Sequence, residues 1–241
     1  MSAADMNALR RIHVWDAPTR LFHWSLLALI VLCWFTGEEE NLATVHRIAG
    51  EAIAGLLVFR VIWGFVGGEH SRFSDFAAGP AAVINHLRDL MSPAPTRHLG
   101  HNPLGGIAVF LLLAVTTTVV VSGLFSSNEG LAGPFAGRWG FELLDLHETA
   151  FRVLQGLVAL HVLGVAVESW KTRDALAPAM ITGSKTRRAD EPGADARKAG
   201  LVALLFALLA GAAASAFLIT SPPGAAIDGG SGEGEHERDY D

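Results

Sequence analysis

The chain has 241 residues, 51% of them hydrophobic and 17% charged, with a net charge of −6 and a mean hydropathy of +0.36. Charge content this far below the roughly 25% of soluble domains points to one integral membrane domain of four to six helices with modest loops. The single cysteine, Cys33, excludes a disulfide framework, a covalently attached c-type haem and an iron–sulfur ligand set, and reads as a small buried apolar residue.

Met1–Arg11 reads as a frayed polar terminus. No small-residue cleavage site follows the first apolar run, so that run is an anchor and not a secretory signal. Asp16-Ala-Pro18 suits a helix start, with a capping carboxylate and proline in the first turn. Trp15, Phe22 and Trp24 are spaced like an aromatic belt, and a first span runs from about Leu21 to Phe35 with His23 at its beginning. After the acidic turn Gly37–Asn41, a second span covers about His46–Val66. Gly50 and Gly55 lie close to the face of His46 and let a flat ring approach the backbone. Within the polar connection Glu69–Asn102, Val83, Ile84, Leu87 and Leu90 recur at helical spacing between Pro80 and Met91, which predicts a helix lying on the membrane surface.

The third span, Leu104–Phe125, is apolar apart from Thr116, Thr117 and Thr118 and carries no histidine. Ser126–Asp145 is a Gly-rich loop. A fourth span, Leu143 to about Trp170, carries His147 and His161, and Ala199–Ile219 is a fifth. The expected architecture is an all-α integral membrane protein: a four-helix transmembrane bundle over 21–170, plus a fifth, C-terminal transmembrane helix. Residues 1–20 form a cytoplasmic N-terminus, 171–198 a basic cytoplasmic linker and 220–241 an acidic, disordered, periplasmic tail. Lysine and arginine placement sets this orientation. With the N-terminus inside, inner segments hold thirteen of these residues, while outer segments hold only Arg47, Arg138 and Arg238. The N-terminus is therefore expected on the cytoplasmic side of the membrane.

Orientation assigns depths to the histidines. His147 and His161 are 14 positions apart, about 21 Å along the axis and within about 40° of one face. The first span runs outward, so His23 is inner; the second and fourth begin outside, so His46 and His147 are outer. Depth alone then pairs His46 with His147 and His23 with His161. Two imidazoles per level suit the axial positions of an iron porphyrin, whereas zinc recruits four ligands. His13, His70, His86, His98, His101 and His236 fall in polar or interfacial segments and read as non-ligands. Arg20, Arg60 and Arg152 are candidates for haem propionates, which suit a guanidinium fork. The alternative for Arg60 and Arg152 is snorkelling, or pairing with Glu51 or Glu148.

Several motifs are shared with a known family. Trp15-Asp-Ala-Pro-Thr-Arg-Leu-Phe-His23-Trp, His46-Arg-Ile-Ala-Gly50, Arg60-Val-Ile-Trp-Gly-Phe-Val-Gly67, Arg72-Phe-Ser-Asp-Phe76 and Gly100-His-Asn-Pro-Leu-Gly105 together resemble bacterial di-haem cytochromes b561. These serve as membrane subunits of nickel–iron hydrogenases and related reductases. The similarity covers about Ile12 to Trp170 and leaves out the fifth span and the tail. It implies two b-type haems on His23, His46, His147 and His161, carrying electrons between a quinone pool and a soluble or peripheral redox protein. The side of the quinone site stays open, with Arg72, His86 and His101 compatible with the inner one, and the acidic tail would suit a basic periplasmic partner such as a cytochrome c. The alternative is a quinone-linked oxidoreductase acting on a small oxidant such as superoxide. The expected partners are lipid, quinone and a redox protein. A homodimer stays open, and nucleic acid has no support.

Overall fold

A computed structural model describes residues 9–128, 131–138, 142–188 and 193–224. Its helices are α1 (Ala17–Thr36), α2 (Ala43–Val66), α3 (Pro80–Leu90), α4 (Pro103–Phe125), α5 (Leu144–Thr172), α6 (Leu176–Thr182) and α7 (Leu201–Thr220). The strands are β1 (Leu9–His13), β2 (Ser127–Asn128), β3 (Leu131–Ala132) and β4 (Ser184–Arg188). Five helices, α1, α2, α4, α5 and α7, are long and apolar enough to cross a membrane. The chain is a multi-pass membrane protein.

Caps fix where the spans begin. The Asp16 carboxylate accepts the Thr19 backbone N–H at 2.8 Å, and Pro18 follows in the first turn. α1 therefore starts at Ala17, four residues before the hydropathy rises. Asn102 caps α4 in the same way through the Gly105 N–H, with Pro103 as the first helical residue. The last helical residue of α5 is Thr172, and Arg173 takes the left-handed conformation at φ 54°.

The bundle is built in two layers. α2 packs along α1 and α7, α4 packs along α5, and the layers join where α2 meets α4. The fifth helix belongs to the bundle. A Cβ on Gly55 would come within 2.5 Å of the Gly211 carbonyl oxygen and overlap the Ser215 hydroxyl, so the α2 and α7 backbones are nearly in contact.

The two ends differ in build. At one end β1 pairs antiparallel with β4, from Leu9↔Arg188 to His13↔Ser184. Residues 9–11, expected to fray, are thus held in a ribbon. Ile12, Val14 and Trp15 bury themselves against Ala179 of α6, and this apolar cluster fixes the N-terminal segment. α3 lies across α4 and α5 at the same end. The segments assigned to the inner side by charge are therefore together in space. The opposite end holds the turn after α1, the β2–β3 hairpin and Gly224, whose N–H donates to the Gly133 carbonyl. Beyond Gly224 the acidic tail, with His236 and Arg238, lies outside the described residues.

Candidate functional site

His46, near the start of α2, and His147, near the start of α5, face each other between the layers. Their ring centroids are 6.2 Å apart and their planes cross at 77°. Two imidazoles on opposite sides of one metal, each at about 2 Å, have centroids about 6 Å apart. The observed separation therefore fits a single iron between them.

Both rings are held by backbone. His46 Nδ1 lies 3.0 Å from the Cys33 carbonyl oxygen, and His147 Nδ1 lies 2.8 Å from that of Val119. A ring whose Nδ1–H donates to a carbonyl presents an unprotonated Nε2, the tautomer that binds metal. The Cys33 carbonyl is available because it sits in the last turn of α1, where carbonyls lack intrahelical partners. Glycines make the room. A Cβ on Gly123 would lie 2.9 Å from His147 Cε1, and one on Gly37 would lie 3.3 Å from His46 Cε1.

His23 of α1 and His161 of α5 lie toward the end closed by β1 and β4, within electrostatic reach of each other. His23 Nδ1 is buried with no hydrogen-bond partner, while its ring meets Trp24 edge-on at 5.0 Å. Apart from its own helix, a Cβ added at Gly50, one turn after His46, would meet no atom within 4 Å among the described residues. Open space thus borders the His46 ring, as a flat macrocycle requires. Among the described residues, no three His, Cys, Asp or Glu side chains gather as a metal-ion cage.

The candidate arginines separate. Arg60 is 3% exposed, its guanidinium 4.8 Å from the Phe73 ring centroid and 6.0 Å from that of Phe22. Among the described residues its NH1 has no hydrogen-bond partner, so a buried cation is left with an unused donor. Arg20 donates to the Ile181 carbonyl from NH1 and keeps a buried, unpartnered Nε. Arg152 instead pairs with Glu148 at 2.9 Å, with its side chain 70% exposed. Glu51 is taken by Arg47, also at 2.9 Å.

His101, read from sequence as a non-ligand, is held at the β1–β4 end between Trp15 and Phe76, with centroids at 4.7 and 4.5 Å. Burial, reinforced by the nearby Arg60 guanidinium, pushes its pKa down to about 3, so the imidazole is neutral. The carbonyls of Cys33 and Val119 were missed altogether, because every residue carries one. The available signal was glycine: Gly37 and Gly123 stand where the two rings must pass.

The family model for prokaryotic cytochrome b561 matches residues 14–183, which include α1 to α6 and leave α7 outside. The chain is similar to a probable Ni/Fe-hydrogenase B-type cytochrome subunit of Azotobacter chroococcum mcd 1, 27% identical over 220 residues, covering 75% of this chain and 91% of that protein. Proteins of the same description from Cupriavidus necator and Rhizobium leguminosarum bv. viciae are 26% and 24% identical, covering 77% and 72% of this chain and 91% and 88% of theirs. No solved structure matches the chain. With its matched span holding all four candidate ligands and the helices that carry them, the chain belongs to the prokaryotic cytochrome b561 family.

Proposed function

We propose that this chain carries electrons across a bacterial inner membrane, through two b-type haems, between a quinone pool and a hydrogenase-type redox partner. The observation that carries the reading is the outer pair: two facing imidazoles, each with Nδ1 on a carbonyl, at the separation one iron requires. His23 and His161 hold the second haem toward the inner end. When bound, each haem supplies a one-electron ferric–ferrous couple. The chain's residues do the rest: four imidazoles would ligate, the Cys33 and Val119 carbonyls fix two of the rings, and Gly50 leaves flat space beside His46. Arg60 and Arg20 offer buried donors to propionates, and Arg152, paired at the surface, is the weaker candidate.

A haem held by two imidazoles would offer no open ligand position to a small oxidant, which favours electron transfer over direct oxidant chemistry. The hydrogenase partner is suggested by the names of the relatives, and the cytoplasmic N-terminus by the bias of lysine and arginine. The test is pyridine haemochrome quantitation with reduced-minus-oxidised spectra on the purified chain. Two haems b are expected, one in His46→Ala and one in His161→Ala, with reduction by a quinol analogue in the wild type. No haem in the wild type would remove the reading, and one would mean a misassigned pair.

A further inference from the structure

The surface helix α3 turns one histidine inward. His86 is 5% exposed, and its Nε2 lies 3.3 Å from Oε2 of Glu168, itself 6% exposed, near the end of α5. Neither ring nitrogen of His86 makes a hydrogen bond of good geometry among the described residues. A buried carboxylate and imidazole so loosely engaged are an expensive way to pin a surface helix, and apolar side chains would do that better. Glu168 follows His161 by seven residues, two turns of α5. It therefore stands about 10 Å along the axis on nearly the same face, between the inner ligand and the inner aqueous surface.

The surroundings point to proton exchange. His98, half-buried, packs its ring against His86 at 5.3 Å. Burial and the neighbouring His86 hold His98 below the ordinary imidazole range, so it is neutral and can both accept and donate. On α3 itself Asp89 faces the histidines, its carboxylate accepting the Thr96 N–H at 2.8 Å. From β4, Lys185 reaches toward Glu168, but its ammonium is held by the His98 carbonyl at 2.9 Å and by Asp174 at 3.4 Å. Arg187 and Arg97 are likewise drawn to Asp174. Glu168 is left with His86 as its ion-pair partner among the described residues.

We propose that Glu168 and His86 form a proton-accepting pair, loaded from the inner aqueous side past His98 when an electron arrives at the haem position held by His23 and His161. This rests on the electron-transfer reading above. One electron enters from the donor, one proton moves from water onto the pair, and no heavy-atom bond forms or breaks. The added negative charge at that position, in a poorly screened region, raises the pair's proton affinity; a proton on the pair eases reduction by the same amount.

The test is a spectroelectrochemical titration of the purified full chain between pH 6 and 8.5, in wild type, Glu168→Gln and His86→Gln, each also with His46→Ala to isolate the inner haem. Haem content is measured alongside, and proton uptake on dithionite reduction is followed with an indicator dye. In the wild type the inner-haem potential falls as pH rises and reduction takes up protons. Both effects drop by at least half in either variant while haem content stays unchanged. Wild-type slopes and uptake in both variants, with haem retained, overturn the pair; so does a slope confined to the outer haem. A wild-type chain without haem overturns the electron-transfer reading first, and the pair with it.

Discussion

Replacing Gly123 by alanine perturbs the outer pair without touching a ligand. The new Cβ would sit 2.9 Å from His147 Cε1 and 3.0 Å from Nδ1. Ordinary carbon contacts lie at about 3.5–4.0 Å, so the ring must retreat by roughly 0.5–1 Å. It cannot do so freely, because its Nδ1 is anchored 2.8 Å from the Val119 carbonyl and its Nε2 must keep its aim. Overpacking of this kind costs about 1–3 kcal/mol. At 1.4 kcal/mol per factor of ten, haem at the outer site should bind about 5- to 140-fold more weakly. The assay is haem transfer from the reduced, purified protein to an excess of a haem-scavenging apoprotein, with the inner haem as internal control. Outer haem lost no faster than in the wild type, with an unchanged bis-imidazole spectrum, would refute the reasoning.

Gly50→Ala meets no protein atom within 4 Å, so stability should stay within about 0.5 kcal/mol; accelerated haem loss or a shifted spectrum is expected if a ring lies against α2, and unchanged haem exchange would remove Gly50 from the site. Arg60→Met deletes a buried cation and should lower the potential of the nearer haem by roughly 40 mV per kcal/mol of lost attraction, whereas Arg152→Met, at an exposed pair, should leave both potentials in place in the same redox titration. Asp174→Asn strips the shared carboxylate from Arg187, Lys185 and Arg97 and should destabilise the inner cap by about 3–5 kcal/mol, read as faster proteolysis of the β1–β4 ribbon. Burial alone would raise the Asp174 carboxyl, but hydrogen bonds from Arg187 and the surrounding cations outweigh it and hold it below the usual range. Its contribution is therefore fully present above about pH 4 and is lost as pH falls through the lower folded value, so a ribbon already released by proteolysis at pH 5 in the wild type would contradict this account.

The amino-acid sequence determined the five spans. Hydropathy acts along one dimension, and the chain spells that dimension out. Asp16 and Asn102 even fixed where two helices begin, since a cap bonds within three residues. Other features depended on which residues meet across elements far apart in the chain. β1 finds β4 some 170 positions away, so a terminus that reads as frayed is an ordered ribbon. Arg60 and Arg152 look alike in sequence, yet one is enclosed by Phe22 and Phe73 while the other turns out to Glu148. The groups that orient His46 and His147 are backbone carbonyls, exposed to them by a helix end at Cys33 and a missing side chain at Gly123. His86 belongs with these: its helix has the pattern of a surface element, and only its packing against α5 brings the imidazole to Glu168. Pattern is a property of one helix, whereas a contact is a property of two.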